Sequence, residues 1–87
     1  MKDNTTEKRF EIEIDGQIAL ADYRIKDNII TLPHVFVPPE LRGGGVAGKL
    51  MQEIVDHARK NSMKIHPVCP YAVAWMDKHK ESQDLRV

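Results

Sequence analysis

The sequence predicts a mixed α/β (α+β) fold of order β-β-β-α-β-α, a mostly antiparallel sheet with helices packed on it. Three observations carry that expectation. Apolar and polar residues alternate through the first third of the chain, short turn signals separate those runs, and after a glycine cluster the apolar spacing changes from two to about 3.6 residues.

Arg9-Phe10-Glu11-Ile12-Glu13-Ile14 sets Phe10, Ile12 and Ile14 on one face of a half-buried strand, whereas residues 1–8 before it are polar and are expected to be flexible. Asp15-Gly16 reads as a two-residue hairpin turn. The return strand runs from Gln17 to Ile25, with Ile18, Leu20 and Ile25 as apolar surface and Tyr23 out of simple alternation. Lys26-Asp27-Asn28 makes the next turn. Ile29 to Leu32 and His34 to Val37 form a third extended segment. Pro33 interrupts it and has no N–H to give a ladder, which implies an edge, a bulge or two short strands.

Past the glycines, Val46, Ala47, Leu50, Met51, Ile54, Val55 and Ala58 recur at helical spacing opposite Lys49, Gln52, Glu53, Asp56, His57, Arg59 and Lys60. Asn61 is the expected C-cap. Lys64 to Val68 is strand-like, and Cys69-Pro70-Tyr71 leads into a second helix through Ala72, Val73, Ala74, Trp75, Met76 and His79, with proline favoured at its first position. Val73, Trp75 and Met76 read as core.

The 87 residues suit one domain spanning 1–87. Lys+Arg and Asp+Glu number 13 each, so no overall field draws the protein to nucleic acid or to a membrane, and any phosphate binding must be local. Met1 to Glu7 lacks an apolar segment, and no apolar run approaches the ~20 residues of a membrane span, which reads as cytoplasmic. A single cysteine, Cys69, excludes an internal disulfide framework and a multi-thiolate zinc site. His57, His66 and His79 lack helical metal-ligand spacing and read as surface or packing residues, so no metal site is expected.

The chemistry concentrates in Val35 to Leu50, where a strand passes through a proline break into glycines that open a helix. Glycines let the backbone approach a ligand, the first helical N–H groups have no intrahelical acceptor, and the macrodipole is positive at that end. Gly43 to Lys49 satisfies GxxxxGK, but Leu50 replaces the Ser or Thr that would hold magnesium in a Walker A loop. Gly43-Gly44-Gly45-Val46-Ala47-Gly48 also satisfies GxGxxG. A dinucleotide fold would need an early βαβ unit and an acidic residue about 20 positions on; here three meandering strands come first and His66 to Tyr71 holds no carboxylate.

The third pattern is Arg42-x-x-Gly45-x-Ala47 after Val37-Pro38-Pro39-Glu40. This segment resembles the acyl-CoA-binding signature of the GNAT (GCN5-related N-acetyltransferase) superfamily, Q/RxxGxG/A. Together with His66-Pro67-Val68-Cys69-Pro70-Tyr71 and His79-Lys80-Glu81, it is similar to the compact CoA-binding subfamily with a Cys-Pro-Tyr motif. The resemblance implies a minimal GNAT-like fold and acetyl-CoA as substrate. It further implies a pyrophosphate loop of Arg42, Gly43, Gly44, Gly45, Val46, Ala47 and Gly48, with main-chain groups of Phe36 and Val37 meeting the pantetheine arm.

Three residues are candidates for chemistry. Cys69 precedes a helix whose N-terminus would favour a thiolate, so it reads either as a nucleophile or as a buried small residue. His34 is a candidate general base, or a strand histidine satisfied by backbone. In the resembling subfamily a polar Thr-Glu pair commonly follows this histidine; here Val35-Phe36 stands instead, which removes a carboxylate relay. Tyr71 matches the tyrosine with which GNAT enzymes often protonate the departing CoA thiolate; packing against Trp75 is its other reading. The functional expectation is acetyl transfer from acetyl-CoA to an amine, of a protein or peptide, either directly or through Cys69. The alternative is a CoA-binding module acting as sensor or adaptor without catalysis.

Overall fold

A computed structural model describes all residues from Met1 to Val87. Left-handed backbone at Asp15 and Gly16, and again at Asp27 and Asn28, closes two tight turns that fold residues 9–36 into an antiparallel meander. The strands are β1 (Lys2–Asn4), β2 (Arg9–Ile14), β3 (Gln17–Lys26), β4 (Ile29–Phe36) and β5 (Lys64–Pro67). They lie in the order β1-β2-β3-β4-β5, antiparallel except for β4 and β5.

Helix α1 (Val46–Lys60) makes the crossover between those two parallel strands, and α2 (Pro70–Lys78) follows β5. Short 3₁₀ turns occupy Pro39–Leu41 and Lys80–Leu85. Val46, Leu50, Met51, Ile54, Val55 and Ala58 are the buried stripe of α1, as the periodicity predicts, while Ala47 is only half-buried. From Leu50 onward this stripe joins Phe10, Ile12, Ala21, Ile30, Leu32, Ile65, Trp75 and Met76 in one hydrophobic core. No helix is long and apolar enough to cross a membrane.

Asn61 caps α1 and Ser62 follows at φ 56°. The Met63 N–H then reaches the Ala58 carbonyl (2.8 Å) and the Ser62 N–H the Arg59 carbonyl (3.4 Å), which satisfies two terminal acceptors in a Schellman arrangement.

Two expectations need correction. The polar N-terminus is not free: Lys2–Asn4 pairs with Arg9–Glu11, which makes the meander four-stranded before the glycines. Long-range polar contacts fix it. The Tyr23 hydroxyl donates to Asp3 Oδ1 (2.6 Å), and Glu11 accepts from both Asn4 Nδ2 (3.1 Å) and Arg9 Nε (2.6 Å). These bonds hold the Glu11 carboxyl below its ordinary range, with Arg9 the larger cause. The second helix also stops at Lys78, with His79 as its C-cap.

Pro33 sits in a bulge of one continuous strand. Between the pairs Asp22↔His34 and Arg24↔Thr31, Tyr23 alone opposes Leu32 and Pro33. The extra residue reverses side-chain parity, so Leu32 is buried while Pro33 and His34 are both exposed.

Candidate functional site

The site forms where β4 and β5 part. Their parallel pairing ends at Leu32↔Pro67, and the Leu32 carbonyl accepts from both Val68 N–H (3.1 Å) and Cys69 N–H (3.0 Å) as the chain turns into α2. Strand β4 continues to Phe36 with only β3 beside it, through Ala21↔Val35 and Leu20↔Phe36. One edge of residues 33–36 is therefore open.

Beside that edge lies a cleft of about 430 Å³. It brings together Phe36, Val37, Arg42, Gly43, Gly45, Val46, Ala47, Gly48 and Tyr71, all singled out from sequence, and adds Val35 and Leu41. Leu41 was the readable omission, an apolar residue in a loop with no helical or strand stripe to belong to. Val35 escaped because it also packs on the core.

The glycine loop gives the cleft its chemistry. Gly43 (φ 87°) and Gly45 (φ 77°) are left-handed, a backbone that L side chains adopt only under strain. Gly45 is the N-cap of α1 and has no side chain to accept from the helix, so the first turn keeps its donors. The N–H groups of Gly43, Gly45, Val46, Ala47 and Gly48 have no intramolecular acceptor, whereas Gly44 N–H turns back to the Leu41 carbonyl at 3.4 Å. Five free donors thus gather at the positive end of a 15-residue helix. Gly48 faces α2, where a Cβ would make only ordinary contacts, 3.6 Å to Trp75 Nε1 and 3.9 Å to the Tyr71 hydroxyl.

The three candidates for chemistry are placed differently. Tyr71 lines the cleft at 40% exposure, and burial of part of its ring raises the phenol above its ordinary range. Trp75 does not take it as a stacking partner; the indole stacks on His79 instead, 3.7 Å between centroids at 10°. Cys69 is 9% exposed, part of the core and outside the cleft lining, at the N-cap of α2. His34 is exposed and pairs in register with Asp22, on the sheet face away from core-packed Val35 and Ala21, and is not among the lining residues.

The other histidines have structural contacts. His57 meets Phe10 edge-on at 5.3 Å, His66 Nδ1 lies 2.9 Å from the Val87 carbonyl, and His79 Nδ1 lies 2.6 Å from the Trp75 carbonyl.

Residues 9–85 match the model of the family described as GCN5-related N-acetyl-transferase. Among solved structures, the chain is similar to the NMR solution structure of a GCN5-like protein from Staphylococcus aureus. The two share 28% identity at a TM-score of 0.70, over 92% of this chain and 89% of that one. A five-stranded sheet that parts beside a helix with a bare glycine N-cap, together with a family match over nearly the whole sequence, leads to one assignment: the chain belongs to the GCN5-related N-acetyltransferase family.

Proposed function

We propose that the chain binds acetyl-CoA in the cleft between β4 and the start of α1, and transfers the acetyl group to an amine of a protein or peptide. The observation that carries this reading is the set of five unpartnered amides at Gly43, Gly45, Val46, Ala47 and Gly48. A diphosphate presents several acceptor oxygens and negative charge, which is what converging amides at a helix N-terminus recognise. The open edge of β4 at Phe36, with Val37 just past its end, suits the amide-rich pantetheine arm, since such an arm pairs as an added strand does.

Direct transfer fits the side chains best. The amine nitrogen attacks the thioester carbonyl, the C–S bond breaks, and Tyr71 gives its phenolic proton to the departing sulfur. A phenol keeps that proton at neutral pH without any shift, and partial burial moves this one further in the same direction. Main-chain N–H groups near Phe36 and Val37 serve the oxyanion, and solvent water takes the proton lost by the attacking nitrogen, because His34, the sequence's candidate base, lies outside the cleft lining. A route through Cys69 would exchange one thioester for another before the amine attacks, and the burial of this thiol weighs against it. A non-catalytic CoA module acting as sensor or adaptor is favoured by one observation, that Tyr71 is the only one of the three chemical candidates lining the cleft.

Incubation with acetyl-CoA and a panel of amines and peptides, read by thiol release and by intact mass of the wild type and Cys69→Ser, separates these readings. Amine-dependent release that persists in Cys69→Ser is the expected result. An acetyl adduct on the protein that Cys69→Ser lacks would establish the covalent route instead. Binding without release to any acceptor would establish the adaptor, and absence of CoA binding would refute the proposal.

A further inference from the structure

We infer that Arg42 acts as a strut holding the glycine loop against the end of β4, and that the site uses its Nε–H rather than its charge. This makes Arg42 a positioning residue, and its affinity test rests on the acetyl-CoA reading above.

Arg42 closes the Pro39–Leu41 turn, its own N–H bonded to the Pro39 carbonyl (3.2 Å), and immediately precedes left-handed Gly43. From there the side chain reaches back, and Nε donates to the Val37 carbonyl at 3.0 Å. Both residues line the cleft, so the bond joins its strand side to its loop side. The remaining hydrogen bonds of this stretch are backbone contacts three residues apart: Leu41 N–H to Pro38, Arg42 N–H to Pro39 and Gly44 N–H to Leu41. None of them reaches the strand. The acceptor is a neutral carbonyl, and no carboxylate forms an ion pair with the guanidinium.

The need for such a tie follows from the loop. Gly43 and Gly45 have open space where a Cβ would stand, so packing does not restrain them. The five free amides must be held in one arrangement before a ligand can use them all, and a tether at Arg42 reduces the freedom lost on binding.

The bonding atom makes the idea testable. Arginine Nε is attached to Cδ, as is glutamine Nε2, so Arg42→Gln keeps a donor at that position and discards the charge. Arg42→Lys keeps the charge but has a methylene there. One neutral-acceptor hydrogen bond contributes about 1 kcal/mol, which is roughly fivefold in affinity.

The experiment is calorimetric titration of CoA into wild type, Arg42→Ala, Arg42→Gln and Arg42→Lys at two salt concentrations. Backbone ¹⁵N heteronuclear NOEs of Gly43, Gly44 and Gly45 are recorded on the ligand-free proteins. Arg42→Ala should weaken binding roughly fivefold and lower the three NOEs, in line with one lost hydrogen bond. Arg42→Gln should restore most of both, with the salt dependence of wild type, and Arg42→Lys should restore neither. Better retention by Arg42→Lys than by Arg42→Gln, or a shallower salt dependence in Arg42→Gln, would overturn the strut in favour of a charge contact with the phosphates. If wild type binds no CoA, the acetyl-CoA reading falls by itself. The NOEs still decide the strut, because equal values in wild type and Arg42→Ala would overturn it and a loss restored by Arg42→Gln would uphold it.

Discussion

Alanine at Gly45 and at Gly44 should have opposite consequences, although the two glycines are adjacent. Gly45 lies at φ 77° and ψ 9°, and a Cβ there would meet nothing within 4 Å, so substitution costs backbone strain and no clash. Gly44 is not left-handed, and its Cβ would rest 3.6 Å from the Leu41 carbonyl oxygen, an ordinary contact. Both substitutions remove the same freedom from the unfolded chain, a gain of about 0.4–1 kcal/mol where the native backbone tolerates alanine. The difference between them therefore isolates the left-handed penalty, about 1–2 kcal/mol. For a domain of this size that separates the melting temperatures by roughly 5–15 °C. Thermal and urea unfolding followed by circular dichroism measure it, with m-values checked for equality so that the difference is one of stability. Gly43→Ala should behave like Gly45→Ala, because Gly43 is also left-handed in open space. A Gly44→Ala variant that unfolds at or below Gly45→Ala would refute the loop geometry on which the site depends.

Three further outcomes are expected. Gly45→Glu should abolish CoA binding by calorimetry while the domain stays folded, since a carboxylate would stand among the amides proposed to hold the diphosphate; unchanged affinity would remove the pyrophosphate assignment. Tyr71→Phe should lower kcat roughly 100-fold with CoA affinity and melting temperature little changed, the usual scale for losing a general acid, and an unaltered kcat would assign Tyr71 to packing. For Tyr23, burial first and then the hydrogen bond to Asp3 push the phenol up to about 12. An unfolded tyrosine titrates near about 10, so the stabilisation is complete below that pH and is lost as pH rises toward the folded value. Melting curves from pH 9 to 12 should show wild type falling faster than Tyr23→Phe above pH 10, and parallel curves would contradict the burial of that hydroxyl.

What could be read from the sequence was local. The alternation of Phe10 and Ile12, the apolar stripe from Val46 to Ala58, and the Asp15-Gly16 and Asp27-Asn28 turns depend on neighbouring residues, and each has the expected conformation. The free amides follow from glycines before a helix, so the loop side of the cleft was legible as well. What escaped depends on residues far apart in the chain. Strand β1 is polar and is held by Tyr23 and Glu11, twenty and seven residues beyond their partners Asp3 and Asn4. Simple alternation from Ile30 and Leu32 would aim His34 inward, and the bulge at Pro33 turns it outward. The burial of Cys69 reflects the way α2 closes over the sheet, which no local pattern reports. Arg42 was legible as part of a motif, but its bond to Val37 required the turn between them to be seen.

The most direct measurement is an NMR titration of ¹⁵N-labelled protein with acetyl-CoA, following every backbone amide. The expected result is saturable binding with the largest downfield shifts at Gly43, Gly45, Val46, Ala47 and Gly48, smaller changes along Val35 to Val37 and at Tyr71, and little change at Gly44, whose N–H already has the Leu41 carbonyl. Saturation with those five amides unmoved, or no saturation at millimolar ligand, would contradict an acetyl-CoA site at the head of α1.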